Sequence, residues 1–162
     1  MPTRLHEAGA SWLAKQYARW RANGLIDDVG EDFLGLQPSP RIGNFMGAYN
    51  GSLKEPDYSI IPDGINGLPR SFPSVVLESG WTSSETKLDC HRHRWHEGSD
   101  GNVRVVLLPK IFKPNVDDEI RAILKVSHTI PGAGAQPTLI SIKLFPPSNP
   151  PAADPTLTMN EL

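Results

Sequence analysis

Two short strand-like runs each carry one carboxylate: Asp57 closes Lys54-Glu55-Pro56-Asp57, and Glu78 follows Pro73-Ser74-Val75-Val76-Leu77. Val75, Val76 and Leu77 form a compact, mostly β-branched run between Pro73 and Gly80, the pattern of a strand buried on both faces. Glu78 continues that strand on the face of Val76, because side chains alternate. A carboxylate in that position is costly to desolvate unless it is paired, hydrogen-bonded or bound to a cation. A divalent metal shared by Asp57 and Glu78 would meet that cost. The plainer reading makes Asp57 a turn residue after Pro56 and Glu78 the exposed end of a strand beside Ser79-Gly80. Asp63, in Pro62-Asp63-Gly64, is a reserve ligand in a turn-rich link.

The segment Asp89-Cys90-His91-Arg92-His93-Arg94-Trp95-His96 concentrates most of the histidines and the single cysteine. Asp89, His93 and His96 stand at i, i+4 and i+7 of a helix and could hold zinc from one face. Lys87, Arg92 and Arg94 with His91 and His93 could instead form a cationic surface for a phosphate backbone, or a contact for a partner protein, along helix 84–96. The plainest reading is a solvated basic helix face with Cys90 tucked in.

The elements that must position these residues are legible in outline. Leu5, Ala8, Trp12, Leu13, Gln16, Tyr17 and Trp20 recur at helical spacing until Asn23-Gly24, giving an amphipathic first helix with Trp12 and Trp20 as core anchors. Residues 27–40 read as a connection with one turn of helix around Phe33. Asn44 to Tyr49 and Lys54 to Ile61 flank Asn50-Gly51 as a hairpin, which puts Asp57 on its second strand. Thr82 with Glu85 forms a capping box for a helix ending at Gly98, with a thin stripe of Leu88 and Trp95. Val103 to Leu108 is a buried strand. Ile120 to Val126 is half-buried, with Ile120, Ala122, Leu124 and Val126 inward, and it pairs with Thr138 to Phe145 across Gly132-Ala133-Gly134. Residues 1–145 form one domain. Residues 146–162 are rich in proline and poor in apolar mass, so the expectation is a disordered tail.

The chain has 162 residues and a formal net charge of −2, which gives no global attraction to nucleic acid or to an anionic membrane. Any binding to a polyanion must come from a local patch. A single cysteine excludes an internal disulfide and suits a reducing compartment. The absence of a long apolar run, and an opening segment without the apolar core of a signal peptide, suggest an intracellular protein, cytoplasmic or nuclear.

Helix, hairpin with Asp57, strand with Glu78, helix, strand and a further strand pair is an order that resembles the core of the PD-(D/E)XK, or restriction-endonuclease-like, nuclease superfamily. The resemblance is carried by Lys54-Glu55-Pro56-Asp57 and by Pro73-Ser74-Val75-Val76-Leu77-Glu78-Ser79-Gly80-Trp81. It runs on through Leu88, Trp95, Glu97-Gly98, Gly101 and Val103 to Lys110, where the chain is similar to a group of fungal members. The resemblance implies an α/β fold, a central mixed sheet flanked by two helices. It also implies a Mg²⁺- or Mn²⁺-dependent phosphodiesterase acting on DNA or RNA, with Asp57 and Glu78 as metal ligands. The superfamily places a lysine two residues after the Glu, and here that position is Gly80. Lys87, on the following helix, and Lys110, on the next strand, are the candidates to replace it. A degenerate relic of such a nuclease, or a binding module without catalysis, is the competing reading.

Overall fold

The computed structural model describes residues 6–64, 67–80, 83–129, 137–151, 153 and 156–162. Its elements are α1 (His6–Ala22), α2 (Asp28–Asp32), β1 (Leu34–Pro38), β2 (Tyr58–Pro62), β3 (Val75–Leu77), α3 (Glu85–Gly98), β4 (Val105–Ile111), β5 (Ala122–His128) and β6 (Thr138–Phe145). The strands form one six-stranded sheet in the order β1-β2-β3-β4-β5-β6. Every neighbouring pair is antiparallel except β3 and β4, which run parallel and are linked by α3. A crossover helix is the ordinary way to join parallel neighbours. The fold class is therefore α/β with a central mixed sheet.

Alternation along the central strands divides the core in two. Ile60, Val75, Leu77, Val105, Leu107, Leu124 and Val126 face α1, where they meet Leu13 and Tyr17. Ile61, Val76, Val106 and Leu108 face the other way, against Leu88 and Trp95 of α3 and against Phe45 and Phe72. The near-continuous apolar runs of β3 and β4 are what two covered faces require. Gly9 lets α1 approach closely, since a Cβ there would stand 2.6 Å from Ser79 Oγ and 3.2 Å from Leu77 Cδ2.

Several sequence expectations need correction. The connection over 27–40 contains the edge strand β1 as well as the short α2, whose N-cap Asp27 accepts from Gly30 N. No hairpin forms at Asn50-Gly51: Gly47–Tyr49 is a turn of 3-10 helix, and Ile42 meets Lys54 in an isolated bridge before β2 begins at Tyr58. The alternation over 44–49 was loose because Phe45 is drawn down between Phe72 and Trp95. Trp12 is exposed and Trp20 only packs at the core margin, so Leu13 and Tyr17 are the true anchors of α1. Ser84 caps α3 by accepting from Lys87 N, while Thr82 lies outside the described residues, as does the Gly132-Ala133-Gly134 loop. β5 begins two residues after Ile120, which is exposed.

The described end of the tail makes contacts with the domain. Leu157 and Leu162 pack on the α1-side core, and Glu161 accepts from His128 Nδ1 at 2.5 Å. Two leucines and a hydrogen bond hold this end of the chain against the sheet.

Candidate functional site

Asp57 and Glu78 arrive at the same edge of the sheet from adjacent strands. Tyr58 lies opposite Leu77, so one step further along this antiparallel pair sets Asp57 beside Glu78. Asp57 N donates to Leu77 O at 3.0 Å, and Asp57 Oδ2 accepts from Ser79 N at 2.6 Å. Alternation puts both on the α3 face: Asp57 follows the parity of Ile61, and Glu78 that of Val76. Past Leu77 the chain stays attached to β4, with Glu78 N donating to Leu107 O at 2.9 Å and Gly80 bridged to Lys110.

Glu78 is buried and fully engaged. Lys54 Nζ donates to its Oε1 at 2.5 Å, Trp95 Nε1 donates to the same oxygen at 2.8 Å, and His91 Nδ1 lies 2.8 Å from Oε2. Burial pushes the Glu78 carboxyl up, and the His91 hydrogen bond together with Lys54 more than offsets it, so the group lies below its ordinary value. Glu78 is therefore ionised at neutral pH, and His91 Nδ1 must be the donor. The local sequence explains this arrangement. Leu88, His91 and Trp95 recur at i, i+3 and i+7, so one stripe of α3 carries an apolar anchor and two donors onto the end of β3.

At Gly80, where the expected pattern calls for a lysine, a side chain would have no room. A Cβ at Gly80 would stand 2.6 Å from Leu88 Cδ1, so α3 fills the space that a side chain would need. Lys87, the first candidate replacement, is exposed in the opening turn of α3. Lys110, the second, lies opposite Gly80 and is buried, with Nζ donating to Ser83 O at 2.6 Å and 5.3 Å from the centre of the Phe112 ring. Burial holds its ammonium below the ordinary lysine value. The lysine that touches a candidate ligand is Lys54, which the sequence reading did not select. Its signal was its place three residues before Asp57, in the same short segment.

The remaining candidates sit elsewhere. Asp63 follows β2 and bridges to Pro69, so the length of β2 separates it from Asp57. His96 is buried, with Nδ1 at Val103 O and Nε2 at Ser127 Oγ, both 3.0 Å. Burial lowers its pKa to about 4, so it is neutral. Asp89 lies by Lys125 and Arg92. The proposed zinc face of Asp89, His93 and His96 is thus committed to other contacts, and no group of three metal-ligating side chains occurs among the described residues. Arg92 and Arg94 are half-buried: Arg92 lies 2.9 Å from His93 Nε2, and Arg94 sits 5.8 Å from the centre of the Tyr49 ring. These side chains are thus engaged partly with the protein itself.

Among the described residues no helix is long and apolar enough to cross a membrane. Compared with family models, with curated proteins and with solved structures, the chain matches none.

Proposed function

We propose that this chain is a restriction-endonuclease-like domain that hydrolyses phosphodiester bonds with the help of Mg²⁺ or Mn²⁺, its site built on Asp57, Glu78 and Lys54. The order of elements supports the reading: α1, an antiparallel set entered by Asp57, β3 leading to Glu78, α3, and β4 parallel to β3. The observation that carries it is Lys54 Nζ at 2.5 Å from Glu78 Oε1, a cation on the second carboxylate where Gly80 can supply none.

The donor set suits a hard divalent cation, which takes carboxylate oxygens. Asp57 and Glu78 would hold it, and when bound it would supply an activated water and charge neutralisation at the phosphate. The chain's own residues do the rest. Lys54 holds the charge of Glu78 in balance and presents an ammonium beside the ligands, where phosphate charge grows in the transition state. His91, fixed through Nδ1, keeps the Glu78 carboxylate oriented. Trp95 closes the inner side of the site against water.

A relic without catalysis is the second reading, and the closed Glu78 network favours it, because the carboxylate is already compensated by Lys54 and His91. Cleavage of labelled single- and double-stranded DNA and RNA with Mg²⁺ or Mn²⁺ separates the two. On the first reading, Lys54→Gln lowers metal-dependent cleavage on the order of 10²-fold, and Lys87→Ala leaves it unchanged. Cleavage that survives both EDTA and Glu78→Gln defeats the assignment, and inactivity of the folded wild type on every substrate establishes the relic.

A further inference from the structure

The end of the sheet that carries Asp57 and Glu78 continues past them across β4, β5 and β6. Gly80, which follows Glu78 by two residues, is bridged to Lys110, and Phe112 comes two residues later on the face of Lys110. Phe112 N donates to Arg121 O at 2.8 Å, and Arg121 Cζ stands 3.7 Å from the centre of the Phe112 ring. Lys143 pairs with Ile123, which shares the face of Arg121, so Lys143 is next in the row. α3 leaves this stretch uncovered. It meets β5 at Lys125 through Glu85 and Asp89 and runs on to His96 at Ser127, away from Arg121.

Beyond α3 lies a cavity of about 780 Å³, lined by two rings, Phe112 and Phe145, and by three exposed cations, Lys113, Arg121 and Lys143. Asp118 and Glu119 also reach it, but Glu119 Oε2 is held by Asn115 Nδ2 at 3.1 Å, and the cations outnumber the carboxylates. A guanidinium seated on an aromatic ring is fixed in place while its donors stay available. It offers a plane for a base and a charge for a phosphate.

We infer that this cavity takes an unpaired base and the adjoining phosphate of a single-stranded nucleic acid, whose backbone runs along the row toward Glu78. Cations alone would suit any polyanion. The rings beside them select one with open base faces, which a duplex keeps stacked inside. From β3 to β6 is about 14 Å at ordinary strand spacing, a span that a short strand covers and a free nucleotide does not. On the phosphodiesterase reading of Asp57 and Glu78, on which this assignment rests, the cavity holds the substrate beside the bond to be cleaved.

Fluorescence anisotropy of a short labelled DNA strand with the full chain in EDTA tests the binding apart from cleavage. The wild type binds the strand and binds the matching duplex more weakly. Arg121→Ala and Lys143→Glu, each shown to be folded by circular dichroism, weaken binding on the order of tenfold. Arg121→Lys, which keeps the charge and loses the plane, does not restore it. Lys15→Glu, an equal charge change on exposed α1, leaves affinity nearly unchanged. The inference is overturned by a wild type that does not bind, by a duplex that binds equally well, or by displacement of the strand by an equal concentration of a nucleoside monophosphate. Full affinity in Arg121→Lys, or a loss in Lys15→Glu as large as in Lys143→Glu, overturns it too. A folded wild type that binds the strand but cleaves nothing with Mg²⁺ or Mn²⁺ refutes the nuclease reading instead.

Discussion

The sheet has two covered faces, and they bury themselves by different chemistry. Under α1 the contact is mainly apolar, with Leu13 and Tyr17 against Ile60, Val75, Leu77, Val105, Leu107, Leu124 and Val126, and its polar groups, such as the Tyr17 hydroxyl that donates to Leu34 O, carry no charge between helix and sheet. Under α3 the apolar layer of Leu88, Trp95, Val76, Val106 and Leu108 is broken by three polar groups. They are Glu78 with Lys54, His91 and Trp95; His96 with Ser127; and Lys125 with Glu85 and Asp89. Buried ion pairs are poor sources of net stability, because desolvation offsets most of the attraction. A fold that needed only a second layer would have covered the α3 face as it did the α1 face. The difference teaches that the α3 side holds charge at the edge where β3 and β4 run parallel, and the candidate site lies on that side.

Removing a partner on each face breaks the comparison most directly. Glu78→Ala leaves Lys54, His91 and the Trp95 N–H without their acceptor, and destabilises the fold by about 3–5 kcal/mol, as loss of one member of a buried charge pair does. Leu13→Ala costs about 2–5 kcal/mol through transfer and cavity terms. Denaturant unfolding at several pH values tells them apart. The Leu13 cost is the same across the acidic range. The Glu78 cost shrinks at low pH, because the wild type then loses the same charge. A Glu78 effect that is constant down to strong acid contradicts the ionic account.

Acid acts on the α3 face in two windows. His96 has its folded pKa lowered from 6.5 to about 4, so below pH 6.5 the unfolded chain binds a proton that the folded one refuses. Stability is full above pH 6.5 and falls on the way down to about pH 4, by on the order of 3 kcal/mol. Glu78 also has a depressed folded pKa, so its contribution is present above the ordinary value of 4.5 and is lost as pH falls through the lowered one. His96→Gln should flatten the upper window and leave the lower. A wild-type stability profile that is level between pH 6.5 and 4 counts against the neutral, buried His96.

The smallest expected effect concerns the break in the nuclease-like pattern. Gly80→Ala brings its Cβ onto Leu88 and costs about 1–3 kcal/mol, the usual penalty of overpacking. Leu88→Ala in the same chain relieves that strain, so the double variant loses less than the sum of the two. Strict additivity in the double-mutant cycle would show that Leu88 is not what excludes a side chain at position 80.

Sequence periodicity was enough for α1, β3, α3, β4 and β6, whose apolar spacing is regular and whose capping or turn residues are explicit. β1 escaped because a Gly- and Pro-punctuated edge strand of half-buried residues has neither alternation nor a β-branched run. The hairpin at Asn50-Gly51 was misplaced because a turn dipeptide fixes a local bend and says nothing of what pairs across it. At the site, Asp57 and Glu78 were legible from burial logic: a carboxylate beside a buried strand demands a partner. Which partner answers was not legible, since Lys54 reaches Glu78 through the Ile42–Lys54 bridge, a contact that no periodicity encodes. The apolar stripe of α3 is thin because His91 and His96 face the sheet for their hydrogen bonds.

The central claim is that Asp57 and Glu78 form one oxygen-donor site for a divalent cation, next to Lys54. A Mn²⁺ titration followed by thermal unfolding tests it without any substrate, because a ligand that binds only the folded state raises its stability by mass action. The wild type should gain melting temperature with Mn²⁺ and then level off, Glu78→Gln and Asp57→Asn should lose most of that gain, and Asp63→Asn should keep it. Equal shifts in the wild type and in Glu78→Gln across the whole titration would contradict the account.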